Sequence, residues 1–164
     1  MKKVLMIVLL MIFFVQLQNF QDDHLIHRLT HERLKDSINR GAHDASLQVD
    51  PVAWGEGRIE FIPDQALLAF KNTLSANIGL DPVTLKPIPN TMLTSGIDIL
   101  FEDYIDFKDR VNFPYLYQNS TYGIQRTIYG PAVVYVVRVK TPKYSATSSD
   151  AYIQKPVVFE YPFP

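Results

Sequence analysis

Residues 4–15 (VLMIVLLMIFFV) form an unbroken apolar run, extended by Leu17 and Phe20 and preceded by Lys2 and Lys3. A stretch of this kind is a membrane-crossing helix, a secretory signal core or the enclosed helix of a soluble domain, and each choice restricts what can follow. A signal core ends in a small-x-small cleavage site. This run ends in Gln16, Gln18, Asn19, Gln21, Asp22 and Asp23, with no Ala, Gly or Ser nearby. The core helix of a soluble domain seldom lacks polar residues on every side. Residues 1–20 are therefore expected to form a retained anchor. At ~1.5 Å per residue, residues 4–20 reach roughly 25 Å, a little short of a ~30 Å hydrocarbon layer. Such an anchor stands upright, with Lys2 and Lys3 extending along their stems to one interface. These lysines favour an N-terminus in the cytoplasm, and a long following domain crosses despite Arg28, Arg33 and Lys35. The expected location is the plasma membrane, single-pass, with an extracytoplasmic C-terminal domain.

The helix is not expected to stop at the membrane. Between Gln21 and Gln48 there is no Pro, and the only Gly is Gly41. Leu34, Ile38, Ala42, Ala45 and Val49 recur at steps of three and four, an apolar stripe of helical period. These five are the candidate packing residues of a helical segment over 21–50, ended by Asp50-Pro51 because the residue before Pro is driven out of the helical region. Small side chains on the stripe let another backbone approach closely.

Residues 51–164 are expected to hold an α+β domain. A turn over 54–57 and a short alternating strand over 58–61 precede Pro63-Asp64, which opens a second helix with the stripe Leu67, Phe70, Leu74 and Ile78 and a natural stop at Gly79. Pro82, Pro87 and Pro89 mark an extended loop. Beyond it the period falls to two. Residues 97–107, 122–129, 132–140 and 151–161 read as strands, with Ile97, Ile99 and Phe101 placed on one face of the first, although Leu100 and Tyr104-Ile105 break its alternation. Gly130-Pro131 suggests a hairpin turn. Residues 133–137 are apolar on both faces, so their strand is expected to be central, whereas Pro156 puts the last strand at an edge. Residues 141–150 form a polar loop. The nine Tyr and ten Phe, mostly beyond residue 100, suit a β-rich distal half. The expected architecture is a transmembrane helix continuing into a long amphipathic helix, packed with a second helix on an antiparallel sheet of four or five strands.

Little in the chain points to catalysis. There is no Cys, which removes disulfides, thiolate metal sites and cysteine nucleophiles together. The formal net charge of -1 gives no electrostatic case for nucleic acid. His24, His27 and His31 share one side of the helix at i, i+3 and i+7, but no Glu completes an H-E-x-x-H pattern and Arg28 and Arg33 crowd the cluster. They read as helix surface at headgroup level. Asp98, Glu102, Asp103, Asp106 and Asp109 do not match a calcium loop and read as a solvent face. Asn119-Ser120-Thr121 is a glycosylation acceptor only in a eukaryotic secretory route. G-x-S-x-G, phosphate-loop and dinucleotide motifs are absent. No catalytic residue, metal or other cofactor is expected.

The basic start, the apolar helix entering an amphipathic one, and the segments Phe20-Gln21-Asp22, 40–45 (RGAHDA), Phe113-Pro114-Tyr115 and 130–134 (GPAVV) together resemble the TadE-like family. These are pseudopilin-type proteins of tight-adherence pilus assembly, related in architecture to type IV pilins. The resemblance implies a pilin-like fold and partners among membrane lipid and other pilin-like or secretion-platform proteins. The chain lacks a Gly before Gly41 and an acidic residue before Asp22, so it departs from the processing pattern of pilin precursors and fits an uncleaved accessory subunit. The alternative is a membrane-tethered extracytoplasmic module that binds cell-wall, glycan or peptide ligands. Its contact surface would be the aromatic segment 113–122, with Tyr115, Tyr117 and Tyr122 as the partner surface.

Overall fold

A computed structural model describes residues 2–143 and 150–163. Part of the expected 141–150 loop, residues 144–149, lies outside the described residues. Helix α1, Lys2–Ser46, is continuous over 45 residues, as expected of a stretch with no Pro and no Gly before Gly41. Its residues 4–15 are all exposed, whereas Thr30, Leu34, Ser37, Ile38, Gly41, Ala42, Ala45 and Ser46 are buried. The buried hydroxyls are satisfied within the helix. Thr30 Oγ1 donates to the Ile26 carbonyl at 2.7 Å, Ser37 Oγ to Arg33 at 2.7 Å and Ser46 Oγ to His43 at 2.6 Å. These residues can therefore sit among apolar side chains without an orphaned donor.

The helix ends earlier than expected. Asp50-Pro51 does not end α1; it starts the next element. Asp50 caps α2, Pro51–Gly55, by accepting from the Val52 N–H, with Pro at the first helical position where no N–H is needed. Val49 leaves the helical stripe and instead bridges Phe61. The expected strand over 58–61 is reduced to that bridge, flanked by Asp50 N–H to the Glu60 carbonyl and Ile62 N–H to the Gln48 carbonyl. Helix α3, Pro63–Ile78, ends on Gly79 in the left-handed region, and its buried face is Ala66, Phe70, Leu74 and Ser75.

Five strands follow: β1 (Ile97–Ile105), β2 (Tyr115–Asn119), β3 (Ile124–Ile128), β4 (Ala132–Lys140) and β5 (Tyr152–Glu160). They divide into an antiparallel three-stranded sheet ordered β1-β4-β5 and a separate β2–β3 hairpin. Gly130-Pro131 is consequently not a hairpin turn, because β3 pairs with β2 and β4 pairs with β1 and β5. Strand β4 is central and β5 lies at the edge, with Pro156 opposite Val136.

The apolar character of β4 on both faces has a direct cause. Val133, Tyr135, Val137 and Val139 join the core beneath α1 and α3, and Ala132, Val134 and Val136 join a second core covered by the hairpin. Strand β1 serves both cores through a register shift between Ile99 and Phe101. The extra residue, Leu100, turns Phe101 to the hairpin side while Ile97 and Ile99 stay on the helix side. The three are not on one face as simple alternation implied.

Asp106 joins the end of β1 to the α2–α3 connection. It is buried, its Oδ2 accepts from the Phe61 N–H at 2.8 Å and its Oδ1 from the Lys108 N–H at 2.7 Å. Asp109 returns a bond to the Asp106 N–H at 3.1 Å, closing a capping box. Asp106→Ala leaves the buried Phe61 N–H without an acceptor, so it should cost about 2–4 kcal/mol. Asp106→Asn should restore part of this, because one oxygen remains. Thermal unfolding in detergent, followed by near-UV circular dichroism, reads both.

Candidate functional site

The features bearing most directly on function belong to α1, whose two halves face different surroundings. The first half carries a row of exposed Val, Leu, Ile, Met and Phe side chains, and the helix is long and apolar enough to cross a bilayer. The second half is docked. Gly41 lies where a Cβ would stand 3.0 Å from the Phe70 ring and 3.1 Å from its carbonyl oxygen, so α3 approaches α1 closely enough that a larger residue would have to push Phe70 back. Leu34, Ile38, Ala42 and Ala45 occupy the same core, with Val49 packed at its margin. Periodicity missed Thr30, Ser37, Gly41 and Ser46, which are polar or lack a side chain. Their three-and-four spacing relative to the stripe was the available signal.

The three tyrosines expected to make a partner surface separate. Tyr115 is exposed, beside exposed Leu116. Tyr117 is only 6% exposed, its ring in the hairpin core and its hydroxyl donating to Asp103 Oδ2 at 2.8 Å. Tyr122 is half-buried against Phe101 and donates to the Leu100 carbonyl at 3.1 Å. Tyr117 and Tyr122 thus fasten the hairpin to β1, and Arg126 fastens it to β5 through the Val158 carbonyl at 2.9 Å. An aromatic platform is not formed, because Tyr117 is buried in the hairpin core and Tyr122 packs against Phe101, which leaves Tyr115 alone exposed.

Beside the buried Asp106, the interior holds the phenol groups of Tyr104, Tyr117 and Tyr135. Tyr104 hydroxyl donates to the Pro63 carbonyl at 3.2 Å and lies 3.0 Å from the Tyr135 hydroxyl. A carbonyl only accepts, so the relay runs from Tyr135 to Tyr104 to Pro63. Burial pushes Tyr104 up to about 12, opposed by the bond from Tyr135. Tyr135 is raised further, first by burial and then by donating to Tyr104, and Tyr117 is raised by burial and by its bond to the Asp103 carboxylate. Their folded pKa values lie above the ordinary ~10, so the unfolded chain loses protons first and stability falls as pH rises past ~10. These three should ionise only as near-UV circular dichroism is lost, at a pH above that of a free tyrosine. Absorbance at the tyrosinate band measures the difference.

Among the described residues, His43, Asp44 and Thr73 form a polar cluster on the α1–α3 side with the residue types of a hydrolase. The Thr73 hydroxyl donates to Asp44 at 2.6 Å and His43 Nδ1 lies 3.1 Å from the same carboxylate. The Thr73 bond, ahead of the smaller contribution of His43, holds the Asp44 carboxyl below its usual range against partial desolvation. The hydroxyl here donates to the carboxylate rather than to the imidazole, so the hydroxyl–imidazole–carboxylate order of a hydrolase triad is not formed by these three. Of the acidic run over 98–109, Asp98 pairs with Arg138 at 3.0 Å and Asp103, Asp106 and Asp109 bond as above, with Asp106 buried, so the run is not simply the solvent face expected of it. Among the described residues no group of three or more His, Asp or Glu is disposed to hold a metal ion.

The molecule is thus an α+β protein with a long N-terminal helix, apolar and exposed in its first half and docked with a second helix on a three-stranded antiparallel sheet in its second. Comparison with protein-family models, with curated proteins and with solved structures yields no match.

Proposed function

We propose that this chain is a membrane-anchored, pseudopilin-like accessory subunit of a tight-adherence or type IV-type pilus or secretion apparatus, working through protein–protein assembly. The observation that carries the reading is the division of α1: one uninterrupted helix is apolar and uncovered over residues 4–15 and docked on a sheet from Thr30 onward. That division lets the same helix hold the chain in a bilayer and orient a domain outside it. The anchor has neither Gly nor Ala, so its neighbours in lipid would pack through large side chains rather than close backbone contact. The domain would lie on the extracytoplasmic side of the plasma membrane. The tethered binding module has weaker support, since of its three tyrosines only Tyr115 is exposed.

Photo-crosslinking in the native cell from Val15 and Arg28, both exposed on α1, tests the assignment. Expected products are adducts with other short proteins of the same anchor-plus-helix design. Adducts confined to wall polymers or to secreted substrates would reject the assembly role.

A further inference from the structure

Between α1 and α3, beside the last residues of β5, lies a groove of about 480 Å³. That is within the ~300–1,000 Å³ of small-ligand sites. We propose that this groove binds a neutral saccharide, its hydroxyls held by polar side chains of the two helices and one apolar face of the sugar laid against Phe159. The site adds a ligand to the assembly role and does not depend on it. It is also separate from the aromatic hairpin segment.

Three observations support it. The first is charge. Arg40 brings a guanidinium to the lining and Asp44 a carboxylate, and the two cancel. An inorganic anion entering the groove would meet Asp44, and a cation would meet Arg40. A hydroxyl both donates and accepts, so it suits each of them.

The second is open hydrogen-bonding capacity on groups already fixed in place. Among the described residues, neither the Arg40 guanidinium nor the Asn39 amide has a partner. The Asn77 amide nitrogen donates to the Thr73 carbonyl at 2.7 Å, which leaves its oxygen for a ligand. Thr73 Oγ1 donates to Asp44 Oδ2 at 2.6 Å and pins the carboxylate. His43 Nδ1 lies 3.1 Å from Asp44 Oδ1, and the His43 ring meets Phe159 edge-on at 5.4 Å. The imidazole is thus held on two sides, with Nε2 left over. Arg40, His43 and Asn77 are exposed, while Asn39, Asp44, Thr73 and Phe159 are half-buried, so no member of the set is sealed from solvent.

The third is composition and place. Amide, guanidinium and carboxylate groups are planar and can bridge two neighbouring hydroxyls, and a ring can cover the C–H face of a pyranose. The cores of protein interfaces are instead depleted in charge and enriched in aromatics, whereas Phe159 is the one aromatic among these polar groups. Lipid is out of reach. Phe20 is the last apolar residue of the run, and at ~1.5 Å per residue Arg40 stands about 30 Å from it along α1.

The full-length protein in phosphatidylcholine nanodiscs, with empty discs as the blank, can be titrated with cellotetraose, maltotetraose and chitotetraose. Saturation-transfer NMR of the sugar reads binding. At least one of the three should bind. Arg40→Ala breaks no bond of the folded chain and should weaken binding about tenfold, the effect of losing a charged donor. Asn77→Ala and Phe159→Leu should each weaken it too. Arg28→Ala, exposed on the same helix outside the groove, should leave it unchanged. Transfer to none of the three sugars overturns the site. So does binding that Arg40→Ala and Asn77→Ala both leave intact, since the sugar then sits elsewhere. Displacement of the sugar by inorganic phosphate would make the groove an anion site and overturn the saccharide reading. None of these results bears on the crosslinking test, so the assembly role and this site stand or fall separately.

Discussion

Ala42→Glu is expected to unfold the distal domain while α1 stays in the membrane. Ala42 has no exposed surface and shares a core with Leu34, Ile38, Phe70, Leu74 and Tyr135, all fully buried. A longer side chain there collides with a packed interior, and its carboxylate has no water to solvate it. Burying an unpaired charge in this way belongs among the largest single-residue effects, about 4–5 kcal/mol. A domain of this size has only about 5–15 kcal/mol of stability in total. Lys35→Glu, on the exposed side of the same helix, should change stability by no more than about 0.5 kcal/mol. Limited proteolysis of reconstituted protein separates the two variants: the Ala42→Glu domain should be digested to a protected anchor fragment, and the Lys35→Glu domain should persist. Equal resistance would mean that α1 does not dock through this face.

Tyr135→Ala is expected to cost about 3–5 kcal/mol, the range for removing a large aromatic from a close-packed site. The ring is fully buried at the centre of β4 and stacks on Phe70 with centroids 4.0 Å apart and planes 14° from parallel. It also meets Tyr104 edge-on at 6.0 Å. Truncation therefore removes the contact through which α3 and the sheet hold each other. Tyr135→Phe keeps both ring contacts and loses only the bond to Tyr104, which still donates to Pro63. Its cost should be about 1 kcal/mol, and the high-pH loss of stability should become shallower. Denaturant titration at neutral and alkaline pH gives both values. Similar losses for the Ala and Phe variants would show that the hydroxyl relay, not the stacked ring, holds the layers together.

Elements whose local pattern agreed with their surroundings were legible from residues alone. Leu34, Ile38, Ala42 and Ala45 declared the docked face of α1, Gly79 the end of α3, and the apolar run of β4 its central place. Val49 was misplaced because helical period was extended past the point where Asp50 takes up the capping of α2. Phe101 was misplaced because a one-residue bulge inverts facing, and its one local sign was that Leu100 breaks the alternation. Gly130-Pro131 carries turn chemistry without saying which strands it joins.

By itself the sequence determined the apolar start, the uninterrupted helix and an α+β composition, since each depends on neighbours within a few residues. Tertiary structure alone decided that five strands separate into a sheet and a hairpin, that Tyr117 turns inward to Asp103, and that His43 of α1 meets Phe159 of β5. Those arrangements join residues between 14 and more than 100 positions apart, and their energies come from pairing and burial that no local pattern encodes.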